Sequence, residues 1–199
     1  MRTWLGTIAL ALMVGAPAVQ TPAPDVMTYY IAAGEARTSY RAADRQLAEW
    51  ALAAWGRHSG GALRFEPSDE AHARIRLYWA AADGGQYGEM RRIIVDGRLA
   101  AEVYVRPDTT ALGPDISRLA ERDPLVRETI VYLTCLHELG HALGLEHTDD
   151  FRDIMYFFGY GGDIPGFFTR YRNQLKSRND IASLAGLSPG DIARLKALH

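Results

Sequence analysis

Four side chains within one eleven-residue segment have the types and spacing to do metal chemistry. His137, Glu138 and His141 stand as His-Glu-x-x-His, and Gly144 and His147 follow at intervals of three. On an α-helix, positions i and i+4 lie about 40° apart around the axis and about 6 Å apart along it. Both imidazoles can therefore reach one ion. Glu138, one residue on from the first histidine, reaches the edge of that ion without having to ligate it. It can hold and deprotonate a metal-bound water, as the general base of metal-assisted hydrolysis does. Gly144 has no Cβ, so it can take positive φ, end the helix and turn the chain sharply. That turn lets His147 swing back as a third ligand. Three protein ligands leave one position open for water, the arrangement of a catalytic zinc. A bare His-Glu-x-x-His arises by chance on many helices, but the added glycine and histidine at these spacings make coincidence a poor explanation.

Composition removes several alternatives. The chain has 199 residues, 48% of them hydrophobic and 23% charged, with net charge -2. These are ordinary values for one globular domain, and the length can bury a core without disulfide staples. Such a charge leaves no footprint for nucleic acid. The single cysteine, Cys135, excludes an intrachain disulfide and a cysteine-built zinc site. It lies two residues before His137, about 200° around the helix axis. It thus faces away from the metal and reads as a small buried apolar residue.

The elements that must position the motif can be read from pattern. Residues 1–18 have the form of a signal peptide: Arg2, an apolar run from Trp4 to Val14, and the small-x-small site Ala16-Pro17-Ala18. The run falls short of the roughly 20 residues that a membrane span needs. Residues 19–26 read as a flexible lead-in, and residues 27–199 as the catalytic domain. A first strand is expected over Met27 to Ala32. A helix from a Ser39 cap to His58 follows, stopped by Gly60 and Gly61. Strands are expected at Leu63 to Phe65 and at Ala73 to Trp79, where Ile75, Leu77 and Trp79 alternate with polar neighbours. Gly84, Gly85 and Gly88 mark a loop. Asp96-Gly97 predicts a tight turn between Ile93 to Val95 and Leu99 to Val105. Asp123-Pro124 starts the motif helix, with a side-chain cap and then proline at the first position. Residues 148–187 read as irregular. Ser188-Pro189-Gly190-Asp191 opens a last helix with a capping box, and Ile192, Leu195 and Leu198 are expected toward the core. The pattern is α+β or three-layered, with a cleft between unequal lobes.

The extended motif, followed by Asp153-Ile154-Met155-Tyr156, resembles the signature and methionine turn of the metzincin zinc peptidases. Within them the chain is most similar to the matrixin (matrix metalloproteinase-like) group. Gly144-Leu145-x-His147, the Met155-Tyr156 pair, the closing Leu187-Ser188-x-x-Asp191-Ile192 segment and the tryptophan-bearing first helix leading into Leu63-Arg64-Phe65 all match that group. The resemblance implies a twisted, mostly parallel sheet with one antiparallel edge strand, a long first helix, an active-site helix and a C-terminal helix. It implies one catalytic Zn2+ held by His137, His141 and His147, with Glu138 as catalytic base and Gly144 and Met155 as structural support. A zinc-reaching tyrosine lies two positions after the methionine in the astacin and serralysin groups. That position is Phe157 here, so Tyr156 is not counted as a ligand.

Some family features are not matched. A second, structural zinc has no ligand set here, because His58 and His72 read as ordinary surface or loop histidines. Calcium is typical of the family but finds no acidic cluster with convincing spacing. Asp149, Asp150 and Asp153 read as a solvated turn. The stretch from Gly159 to Gly186, with its basic and aromatic residues, is either a wall of the substrate pocket or a basic helix over a satellite core. The expectation is a monomeric, exported zinc endopeptidase, secreted or periplasmic, with no nucleic acid and no membrane after signal removal. Its polypeptide substrate would bind extended along an exposed strand edge, either Leu99 to Val105 or Ile93 to Val95. The alternatives are an exported zinc-binding module without proteolytic activity, and a zinc amidase of another substrate class.

Overall fold

The computed structural model describes residues 23–82 and 86–199. The expected signal peptide lies outside these residues. A five-stranded sheet runs in the order β2-β1-β3-β5-β4. It is built from β1 (Asp25–Ile31), β2 (Leu63–Pro67), β3 (Ile75–Trp79), β4 (Gly88–Val95) and β5 (Arg98–Val105). All neighbours pair in parallel except β4 with β5, so β4 is the antiparallel edge strand that the resemblance implied. This removes Leu99 to Val105 as an open edge, since that strand is paired on both sides. Asp96 and Gly97 have φ of 50° and 72°, which makes the β4–β5 connection a primed turn matched to strand twist. β1 begins at Asp25, so the last two residues expected in the flexible lead-in are already strand.

Two helices cover one face of the sheet. α1 (Asp44–His58) and α3 (Pro124–Ala142) pack on each other and bury Trp55, whose Nε1 donates to the Leu136 carbonyl at 2.9 Å. The expected start of the first helix at Ser39 is corrected. Ser39 is left-handed, at φ 57°, and closes a short 3-10 turn, while the α-helix starts five residues later at Asp44. The physical reason is a partner remote in sequence. Asp44 is 1% exposed and makes a two-pronged ion pair with Arg127 of α3, at 2.7 and 2.8 Å. It also accepts from the Arg41 amide, which fixes the helix start.

α3 begins as the sequence predicts, with the Asp123 carboxylate accepting from the Leu125 amide and Pro124 at the first position. A short helix before it, α2 (Pro114–Arg122), was not foreseen; in it Ile116 is buried among charged positions. The irregular stretch contains α4 (Ile164–Arg172) and two 3-10 turns. α5 (Pro189–Leu198) closes the fold with the expected capping box between Ser188 and Asp191. Of its three expected core residues only Leu195 is buried; Ile192 is half-buried and Leu198 is 55% exposed. Asp191, at the start of the helix, is fully buried and accepts from the Ile154 and Ser188 amides at 2.9 Å each. No helix among the described residues is long and apolar enough to cross a membrane.

Candidate metal centre

The last two turns of α3 carry His137, Glu138 and His141 along the floor of a cleft of about 460 Å³. The helix ends at Gly144, whose φ of 96° is open only to a residue without a Cβ at ordinary cost. The Leu145 amide reaches back to the Gly140 carbonyl at 3.0 Å and closes the turn. His147 is thereby returned to the two helical histidines. The next residue, Thr148, donates its amide to the Met155 carbonyl at 2.9 Å and accepts from the Phe157 amide at 3.1 Å. This short bridge fixes the loop, and the Phe157 ring packs on His147 with centroids 4.7 Å apart.

Each helical imidazole is oriented by a backbone carbonyl. His137 donates from Nδ1 to Ile154 O at 2.6 Å, and His141 from Nδ1 to Leu145 O at 2.8 Å. A carbonyl can only accept, so both protons sit on Nδ1 and the Nε2 lone pairs point into the cleft. One ligand nitrogen from each of His137, His141 and His147 fits within a cluster 4.8 Å across. The Nε2 atoms of His141 and His147 face each other at 3.1 Å. Two ligands on a tetrahedral zinc at about 2.05 Å would be roughly 3.3 Å apart. Burial lowers the proton affinity of all three rings, that of His137 to about 3. They are thus neutral, the state a metal ligand needs. Converging lone pairs repel one another unless a cation lies between them, so this donor set fits zinc.

Glu138 is 7% exposed. Burial, and to a smaller extent the Glu89 carboxylate, raises its pKa to about 8, against a lowering pull from Arg106. Its neighbour across the cleft is Gly88 at the start of β4. A Cβ there would stand 2.6 Å from Glu138 Cγ and 2.7 Å from Oε1. Only glycine lets the strand edge pass so close to the carboxylate. On the other side, Met155 is fully buried, and its Sδ would lie 2.4 Å from a Cβ placed on Gly140. The methionine thus fills the space left by that glycine, between the turns bearing the two histidines. Tyr156, the next residue, donates its hydroxyl to Gly161 O at 2.9 Å.

The structure adds residues that the sequence reading missed. Ile154 is one: its carbonyl accepts from His137, and its amide donates to the buried Asp191 carboxylate at 2.9 Å. Asp153, read as part of a solvated turn, is instead 3% exposed. It accepts from Thr148 Oγ1 at 3.0 Å and Ser188 Oγ at 2.5 Å, and pairs with Arg194. The order Asp-Ile-Met-Tyr gives no local sign of this, because every partner but Thr148 is more than thirty residues away. One signal was available. Leu133 and Thr134 line the cleft one turn before His137, where helical spacing puts them on the motif face. The stretch after the methionine turn contributes Phe158, Ile164, Phe167 and Phe168 to the same cleft. Phe167, Phe168 and Tyr171 are buried in the main core, so this stretch is a wall of the cleft and not a helix over a satellite core. His58 bonds to its own helix through Ala54 O, and His72 pairs with Asp69 on the surface; neither approaches the histidine cluster.

The profile of the matrixin family matches residues 21–161. The chain is also similar to the macrophage metalloelastase of Oryctolagus cuniculus, with 30% identity over 103 residues. That stretch covers 49% of this chain and 21% of the relative, so the match spans about a fifth of that protein's length.

Proposed function

Because the chain belongs to the matrixin family of metallopeptidases, we propose that it is an exported zinc endopeptidase acting on polypeptides bound in extended form. The observation that carries this reading is the convergence of three neutral imidazole nitrogens beside a buried carboxylate, next to the open edge of β4. His137, His141 and His147 would hold one Zn2+. When bound, the ion supplies a Lewis acid for the scissile carbonyl and makes water acidic enough to be deprotonated near neutral pH.

The remaining work falls to the chain. Glu138 takes a proton from the attacking water at a carboxylate oxygen and hands it to the departing amine. Burial raises its proton affinity in the metal-free protein; a cation held by the three histidines would lower that affinity and leave the carboxylate ionised and able to accept the proton. The free side of β4 offers unpaired amides and carbonyls to a peptide, which adds as a further strand. The aromatic wall receives one apolar side chain and so sets the register of the scissile bond. Gly144 and Met155 keep the three ligands in place. The apolar leader pattern of residues 1–18 supports export, and the protein is read as a monomer.

The test is a peptide-library digest by the zinc-loaded protein, with and without chelator, beside Glu138→Gln. Cleavage should stop with chelator and return with zinc. The variant should hold one zinc per chain and lose activity by about 10²–10⁴-fold. Undiminished cleavage by the zinc-loaded variant would sink the mechanism. Turnover of non-peptide amides alone would move the reading to an amidase, and zinc binding without any turnover to a binding module. His147→Ala should weaken zinc by more than about 100-fold, beyond what loss of an outer contact costs.

A further inference from the structure

The two ends of the cleft differ in chemistry. One end is apolar and aromatic, walled by Leu133, Phe158, Phe167 and Phe168. At the other end β4 continues past the metal centre and presents Arg92. Side chains alternate along a strand, so Arg92 shares a face with Met90, which lines the cleft beside the histidines. It stands one step along the cleft-facing row from Met90.

Arg92 is exposed and has no salt bridge or side-chain hydrogen bond among the described residues. Arg91, its neighbour on the opposite face, is by contrast engaged by Glu89 at 2.8 Å and lies over the Tyr104 ring. Beyond Arg92 the same face continues with Ile94 and Leu99, directly opposed across the hairpin and 67% and 62% exposed. No acidic side chain on that face of the hairpin neutralises the guanidinium. The candidate metal centre therefore stands between an apolar pocket and a cation on the strand edge that forms no ion pair among the described residues.

We propose that Arg92 is a specificity-determining residue that selects an acidic side chain of the substrate, within about three residues of the scissile bond, on the side away from the residue that fills the aromatic pocket. This rests on the endopeptidase reading above. A peptide added to β4 with one side chain in the pocket must run past Arg92 in the other direction. Strand spacing of about 3.3 Å per residue brings its second or third residue to the guanidinium. An aspartate or glutamate there gains a charge-assisted contact, and a lysine meets a like charge.

The experiment compares matched peptides with the same bulky apolar residue for the pocket and Asp or Glu, Asn or Gln, or Lys on the far side. Zinc-loaded wild type should favour the acidic over the neutral peptide by about 5- to 20-fold in kcat/KM at low salt, and by less at about 0.5 M salt. Arg92→Ala should bring the ratio near one, Arg92→Lys should keep most of it, and Arg92→Glu should turn the preference toward lysine. The neutral peptide serves as the check that each variant is folded. A wild-type ratio near one, or the same ratio in wild type and Arg92→Glu, overturns the assignment of Arg92 and leaves the peptidase reading standing. Failure of zinc-loaded wild type to cut any peptide overturns both.

Discussion

On one side of the cleft, β4 is tied to β5 by eight consecutive residue pairs, from Gly88↔Val105 to Val95↔Arg98. On the other side, the chain from Thr148 to Leu187 has a single isolated bridge, Thr148↔Tyr156, and is otherwise held by side chains. Tyr132 and Tyr171 donate their hydroxyls to Ala185 O and Leu184 O. Arg170 donates to Phe151 O, and Asp153 and Asp191 take hydrogen bonds from Ser188 and the Ile154 amide. A ladder spreads its stability over many similar bonds, so losing one costs little. A wall hung from a few buried polar groups concentrates it, and removal of one group strands its partners. The first wall tolerates change in its side chains, while the second orients the histidine cluster and does not.

The largest expected effect lies in the second wall. Asp191→Ala should destabilise the protein by about 3–5 kcal/mol, because it leaves the Ile154 and Ser188 amides without their buried acceptor and removes one of the two carboxylates that hold Arg194. Denaturant unfolding would measure it. The contrast between the walls breaks down if that midpoint moves no more than it does for an exposed β4 substitution.

Between the walls, Glu138 should make the metal-free protein lose stability as pH rises from mildly acidic to about 8. Below about pH 4.5 the carboxyl is protonated in both folded and unfolded chains and contributes no difference. From there up to about pH 8 the unfolded chain gives up the proton while the folded one keeps it. The folded state then binds more protons, so stability falls as pH rises. Glu138→Gln should remove this loss, worth on the order of 4–5 kcal/mol at pH 8. His137 acts in the opposite sense. Its folded proton affinity is depressed, so its contribution is lost as pH falls from about 6.5 toward 3. Thermal unfolding of the chelated protein across pH would sharpen the comparison by separating the two residues.

A smaller pair of effects comes from the two close glycine approaches. Gly140→Ala forces its Cβ into Met155 and should cost about 1–3 kcal/mol. Gly88→Ala instead meets Glu138, whose carboxylate end can move. It should leave the melting temperature almost unchanged but reduce turnover by about tenfold or more through the displaced base. A large loss of stability at Gly88 would show that β4 is less forgiving than its ladder implies. The smallest effect should come from Ile94→Thr on the exposed end of β4, within about 0.5 kcal/mol of wild type.

This difference in how the walls are held also decides what was legible in the sequence. Regular periodicity revealed β3, the β4–β5 hairpin and α3, because alternation, an Asp-Gly turn and an Asp-Pro cap are local signals. The histidines and Glu138 were legible for the same reason: a helix and one glycine turn determine their relations within eleven residues. Asp44, Asp153 and Asp191 behave otherwise. Asp191 was legible as a cap because its partner Ser188 is three residues away, but its bond to Ile154 spans thirty-seven. Asp44 and Asp153 look like surface carboxylates until Arg127, Ser188 and Arg194 are brought to them by the fold. α4 escaped notice because its glycine and proline near the start, and its mixture of arginines with aromatics, obscure the helical period; its apolar residues pack onto α3 and the cleft.

The Ile154 peptide joins α5 at its amide to His137 at its carbonyl. The order of biosynthesis gives that link a temporal meaning. When the ribosome has delivered all three histidines, Asp191 is still more than forty residues from being made, and the turn that orients His137 has no anchor. The carbonyl that orients His137 is therefore anchored only once α5 has been made and has docked. A chain that carries the whole motif but stops before α5 would lack this anchor for the His137 ring, so docking of α5, and not completion of the motif, fixes that ring.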